Sequence, residues 1–213
     1  SLELMREIRS RASECRIYAD LGLLAFYEGR YLAGRDLSRQ TLLMADELGI
    51  RDTSGYALTS LGHCLAALGK NEEAQMAYHQ AEKLFASIGS PFASIDPLAG
   101  LAQLYQSQDS RLRALGCTEK ILDLLRRAEA GGSLSNELCG LIEPSRAYLA
   151  CAQTLRAIGD ERAAQILLEG LKQLNGWANA IENLALRQAF LENIPPNRLL
   201  LEEARQHLPQ SGV

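Results

Sequence analysis

Apolar and small residues recur with helical spacing along this chain, in stretches separated by short polar or glycine turns. The clearest stretch runs from Gly55 to Gly89. Leu58, Leu61 and Leu65 fall on one face of a first helix, and Ala74, Tyr78 and Ala81 on one face of a second. Leu61-Gly62 lies midway along the first helix and Gly69 at the turn. Shifting back by forty residues places Leu61-Gly62 on Leu21-Gly22, Gly69 on Gly29 and Ala74 on Gly34. Shifting forward by forty places them on Leu101-Ala102, Asp109 and Ala114. A fourth copy needs fifty more, which brings Asp109 onto Gly159 and Ala114 onto Ala164.

The pattern predicts an all-α chain with four helix pairs at 12–49, 52–89, 92–129 and 143–174. Residues 1–11, with Leu2, Met5 and Ile8 on one face, match the end of a second helix and read as the remnant of a preceding repeat helix, expected in a segment of a longer chain. The Gly/Ser-rich stretch at 130–136 accounts for the ten-residue slip before the fourth copy. Residues 175–213 read as capping helices, at 177–193 and 197–208, and a frayed tail PQSGV. Where helices cross closely, one residue of the Leu-Gly or Leu-Ala pair must be small. Gly29, Gly69 and Gly159 suit a left-handed turn. Asn71 and Asp160 are placed to cap the following helix, and Gly34, Ala74 and Ala164 to face the first helix again. One pair cannot bury its apolar faces alone, but stacked pairs bury them continuously.

Composition narrows the chemistry. Aromatics are 6% of residues and net charge is −4, which does not suit a basic nucleic-acid face, so no direct nucleic-acid binding is expected. No apolar run approaches about 18 residues, so no membrane span is expected. The N-terminal SLELMREIRSR lacks the apolar core of a signal peptide. Five cysteines without paired spacing read as buried free thiols, and with them a cytoplasmic location. The motifs GxxxxGK[ST], GxSxG, HExxH and CxxC are absent, so no catalytic, cofactor or metal residue is assigned and no enzyme is expected. Glu72-Glu73 and Glu202-Glu203 read as solvated helix charges. Arg126-Arg127 read as closing a helix.

Leu58, Leu61-Gly62, Leu65, Gly69, Ala74, Tyr78 and Ala81 resemble the tetratricopeptide repeat (TPR). Tyr18, Leu21-Gly22, Ala25, Gly29, Gly34, Ser38 and Thr41 match more weakly, as do Tyr148, Cys151-Ala152, Leu155, Gly159, Ala164 and Leu168. The period is forty rather than the family's about thirty-four. The resemblance implies a TPR-like α-solenoid, a right-handed superhelical array of antiparallel helix pairs. A second resemblance lies in ENLALRQAFLENIPPNRLLL. Leu186, Arg187, Phe190, Leu191, Asn193, Pro195 and Arg198 match the segment that closes the repeat region of large bacterial ATPase-linked regulators of the LuxR-type (STAND) group. That implies a sensor or scaffold piece of a multidomain transcriptional or signalling regulator.

In a TPR-like array the first helix of each pair lines the concave groove. The register then offers Arg16, Leu23 and Phe26 from the first copy and Tyr56, Thr59 and His63 from the second. The third gives Gln103 and Gln106, and the fourth Arg146, Gln153 and Arg156. Such a groove suits a protein or peptide with an acidic portion, held by charge-assisted bonds, or neighbouring domains of the same chain. An idle surface position is the competing reading for His63, and repeat-to-repeat packing for about half the set. The Lys and Asn that clamp a C-terminal carboxylate in chaperone-binding TPRs are absent; Asp20, Ser60 and Gly100 stand there. The alternative function is a self-association scaffold, with an exposed N-terminal apolar face forming a homodimer.

Overall fold

A computed structural model describes residues 2–130 and 141–208, with residues 2–8 described by their backbone alone. Every regular element among them is helical. In order they are α1 (Leu2–Tyr27), α2 (Tyr31–Leu48), α3 (Arg51–Ala67), α4 (Asn71–Ser87), a 3-10 turn (Pro91–Ser94), α5 (Ile95–Ser107) and α6 (Arg111–Ala130). After the undescribed residues come α7 (Pro144–Ala157), α8 (Arg162–Asn179), α9 (Leu184–Glu192) and α10 (Pro195–His207). The expected apolar face at Leu2, Met5 and Ile8, the insertion beyond Ala130 and the tail PQSGV lie outside the described residues or side chains.

The chain divides into two units, 1–100 and 101–213. In the first, α1 packs on α2 and α3, α2 on α3, α3 on α4, and α4 on the 3-10 turn. In the second, α6 packs on α7, α7 on α8, α10 on both α7 and α8, and α9 on α8 and α10. Small residues set how closely these helices approach. A Cβ on Gly62 would lie 2.5 Å from the Tyr78 ring, and so would one on Gly100. Tyr78 therefore fills a slot that only glycine leaves open. Gly62→Ala should destabilise the chain by about 1–3 kcal/mol through overpacking. A lower urea midpoint checks this, and an unchanged midpoint would mean that the ring can move aside.

The repeat register is written in the backbone of the turns. The N–H groups of Arg30, Lys70, Ser110 and Asp160 donate to the carbonyls of Ala25, Leu65, Tyr105 and Leu155, at 2.8 to 2.9 Å. This is the closing bond of a Schellman turn. It needs the preceding residue in the left-handed region, and Gly29, Gly69 and Gly159 lie at φ +74°, +74° and +75°. In the third copy Asp109 takes that conformation at φ +52°, which aspartate tolerates better than most residues.

Several local expectations are corrected. No break separates residues 2–9 from 12–27, because α1 is one continuous helix. Asn71 does not cap α4: Lys70 holds the N-cap position and no side chain bonds there. Asp160 lies one residue before the N-cap, Glu161, which makes no side-chain cap bond; the Asp160 carboxylate accepts from the Arg162 N–H at 2.9 Å. The Arg162 side chain holds its carboxyl well below the usual range, at about 2. Ala164 and Leu168 are exposed, whereas Ile166, Leu167, Gly170, Leu171 and Leu174 are buried. The fifty-residue shift thus holds through α7 and its turn, but α8 turns its buried face one residue early.

Candidate functional site

In the first unit, α1 and α3 bring two small groups of the predicted groove residues together. Arg16 on α1 reaches Asp52 at the start of α3, with Nη2 to Oδ2 at 3.4 Å. Half-buried Tyr56 lies in the same electrostatic neighbourhood. Its phenol is pushed up by burial and by Asp96 and Asp52, against a smaller opposing effect of Arg16. The Tyr56 ring also tilts against Phe85, with centroids 5.1 Å apart. About two turns further along α3, Phe26 stacks on His63 at 5.2 Å and touches Tyr31 at 5.9 Å. Leu23 and Phe26 are half-buried and Arg16 is exposed.

His63 is neither an idle surface residue nor an open groove side chain. It is 3% exposed. Its Nδ1 shares a 2.7 Å hydrogen bond with the Tyr78 hydroxyl, so the imidazole joins α3 to α4 from inside. Thr59 is buried too, and its hydroxyl donates to the Gly55 carbonyl at 2.9 Å within the same helix.

In the second unit the predicted polar residues bond one another and the next helix. Arg146 donates to Gln103 Oε1 at 2.9 Å and to Glu143 Oε1 at 2.8 and 2.9 Å. Gln106 donates to the Ala150 carbonyl at 3.0 Å and also to the Thr154 hydroxyl. Gln153 donates to Glu203 at 3.1 Å, and Arg156 pairs with Glu203 at 2.8 Å. These residues form a polar ladder from α5 through α7 to α10.

Two members of the ladder escaped the sequence reading. Glu203 is not a solvated charge but a buried acceptor on α10. It shares the helical stripe Leu200, Glu203, Ala204, a periodicity that would have placed it inward. Glu143 is buried at the N-cap of α7, and its i,i+3 spacing to Arg146 was the available signal.

Among the described residues, the thiols are shielded from reaction. Cys15, Cys64, Cys117 and Cys151 are buried and free. Burial, partly offset by Arg35, pushes Cys64 up to about 11, so it stays protonated at neutral pH. Iodoacetamide at neutral pH should leave these four unmodified until denaturant is added, as read by intact mass; native-state labelling of Cys64 would contradict its burial. Among the described residues, no group of three or more His, Cys, Asp or Glu is placed to hold a metal. No described helix is long and apolar enough to cross a membrane.

No protein-family model matches the chain, and no curated protein does. Solved structures do resemble it along nearly its whole length. BtubC (BKLC) from P. vanneervenii is 17% identical with a TM-score of 0.55, over 95% of this chain and 90% of that one. A Podosopora anserina protein designated a kinesin light chain, with nearly identical TPR-like repeats, is 17% identical with a TM-score of 0.54, over 92% of this chain and 98% of its own. The chain therefore has an all-α fold of stacked helix pairs, the TPR-like repeat solenoid.

Proposed function

We propose that this chain is a non-catalytic interaction module that holds a protein or peptide segment against α1 and α3. The observation that carries the reading is the contrast between the two sets of predicted groove residues. Gln103, Gln106, Arg146 and Gln153 spend their polar groups inside the second unit. Arg16, Leu23, Phe26 and Tyr56 keep a partly open apolar strip with a guanidinium at one edge. Arg16 is weakly held by Asp52 at 3.4 Å, and a surface pair of this kind is worth about 0–1 kcal/mol. An incoming carboxylate can therefore compete for it, while aromatic and leucine side chains supply contact area.

A peptide array tests this. Bound sequences should pair an acidic residue with a nearby large apolar one. Tyr56→Ala with Arg16→Ala should weaken them about ten-fold or more, with the circular dichroism unchanged. Equal binding by the double variant would remove the site from α1 and α3.

The setting we propose is a multidomain bacterial transcriptional or signalling regulator, in the cytoplasm. It rests on the resemblance of residues 182–201. In that segment Asn183 caps α9 by accepting from the Leu186 N–H, Arg187 donates to the Ile181 carbonyl, and Asn197 donates to the Phe190 carbonyl. These bonds order the segment locally, within residues 181–197. Sequencing the gene upstream should reveal a phosphate-binding GxxxxGK[ST] loop; an unrelated upstream region would sink this setting.

A specific observation favours self-association as a second reading. Ile17, Leu21 and Leu24 are 57%, 42% and 47% exposed on one face of α1. Their forty-residue counterparts Ala57, Leu61 and Cys64 are 0%, 9% and 0% exposed in α3. The same face that takes a neighbouring helix pair in the second copy is thus bare in the first. Light scattering should show an oligomer that Leu21→Asp dissolves; a monomer at all concentrations would dismiss it.

A further inference from the structure

We propose that a cleft between α6 and α8 is a second binding site, for a peptide segment that lays a large apolar side chain followed by lysine or arginine across it. The cleft has a volume of about 410 Å³, enough for one or two side chains and within the range of small-ligand pockets. Its floor is Leu122 and Leu125 from α6, Ile166 from α8 and Tyr148 from α7. All four are buried from bulk solvent. One end is closed by Arg162, which bonds Glu119 across the two helices at 2.5 and 3.2 Å. The other end carries Glu129 and Glu169; Arg126 also lines the cleft, its Nε donating to the Leu122 carbonyl at 3.3 Å.

The two ends differ in what they still lack. Arg162 is matched by Glu119 and by Asp160, so it offers little to an incoming anion. Glu169 accepts only a neutral amide, from Gln165 at 2.9 Å. Among the described residues, neither Glu129 nor Glu169 is paired with a cation. Tyr148 points to the same end. It is 3% exposed as a residue, and no described residue hydrogen-bonds to its hydroxyl. Burial first, then Glu169 and Glu129, push the phenol up, which places its oxygen within the influence of both carboxylates.

Two carboxylates and a phenol oxygen at the end of an apolar trough form an acceptor set for a cation. A lysine ammonium carries three donors and a hydrocarbon stem. The stem and the preceding apolar side chain cover Leu122, Leu125 and Ile166, and the ammonium meets Glu129, Glu169 and Tyr148. An acidic residue at that end meets like charge. A purely apolar one desolvates both carboxylates without pairing them.

The test is an NMR titration of the isotope-labelled chain with three blocked peptides, Ac-Gly-Leu-Lys-Gly-NH2 and its glutamate and norleucine counterparts at the lysine position. The lysine peptide should shift amides along 122–129 and 165–169, and the other two should not. Glu129→Gln with Glu169→Gln, both away from the buried core, should weaken it about ten-fold or more, the scale of a lost charge-assisted bond. Tyr148→Phe should weaken it by a smaller factor. The proposal is overturned if those amides stay still at millimolar peptide, if the glutamate or norleucine peptide binds equally, or if the double variant binds unchanged. Shifts confined to α1 and α3 would also overturn it while leaving the proposed groove intact.

Discussion

Truncating Tyr78 to alanine is expected to cost the chain about 3–5 kcal/mol, the range for removing a large buried aromatic side chain. The ring is 2% exposed and lies between Gly62 and Gly100, each of whose missing Cβ atoms would sit 2.5 Å from it. Its removal leaves a cavity walled by backbone on two sides, which cannot collapse easily. The hydroxyl adds a separate contribution through His63 Nδ1 at 2.7 Å, and His63 in turn stacks on Phe26. Tyr78→Phe keeps the ring and loses that bond, for a cost of about 1 kcal/mol. Urea unfolding of both variants separates the two contributions. A loss under about 1 kcal/mol for alanine would mean that the slot is not filled as described.

Replacing Arg146 by methionine is expected to cost about 3–5 kcal/mol, the range for removing one partner of a buried ion pair. The Arg146 side chain is 12% exposed and that of Glu143 only 2%. Without the guanidinium, the Glu143 carboxylate stays in the interior and Gln103 Oε1 loses its donor. The paired variant, Arg146→Met with Glu143→Met, should be more stable than the single one, because no charge is left behind. If the single variant unfolds at the wild-type urea midpoint, Arg146 is a groove residue after all, and its bonds to α5 and Glu143 contribute nothing.

These expectations show where the sequence was legible. Backbone requirements repeat with the register, so the turns were readable: glycine at residues 29, 69 and 159 and aspartate at 109 all serve one hydrogen bond. Side-chain roles depend on rotation about a helix, and one residue of slip is worth about 100°. That is why Ala164 was misplaced although Gly159 was not. Polar residues were hardest to place. Gln103, Arg146, Gln153 and Glu203 occupy groove or surface positions by register, yet each can be satisfied from the next helix. A single sequence does not distinguish a polar residue that awaits a ligand from one that already has its partner on a neighbouring repeat.

The most direct test of the proposed binding face is an amide-resolved NMR titration with a peptide selected on the array. Saturating peptide should shift amides around Arg16, Leu23, Phe26 and Tyr56 and leave those around Gln103, Arg146 and Gln153 in place. Shifts centred on the Gln103–Arg146–Gln153 ladder, with α1 and α3 unmoved, would contradict it.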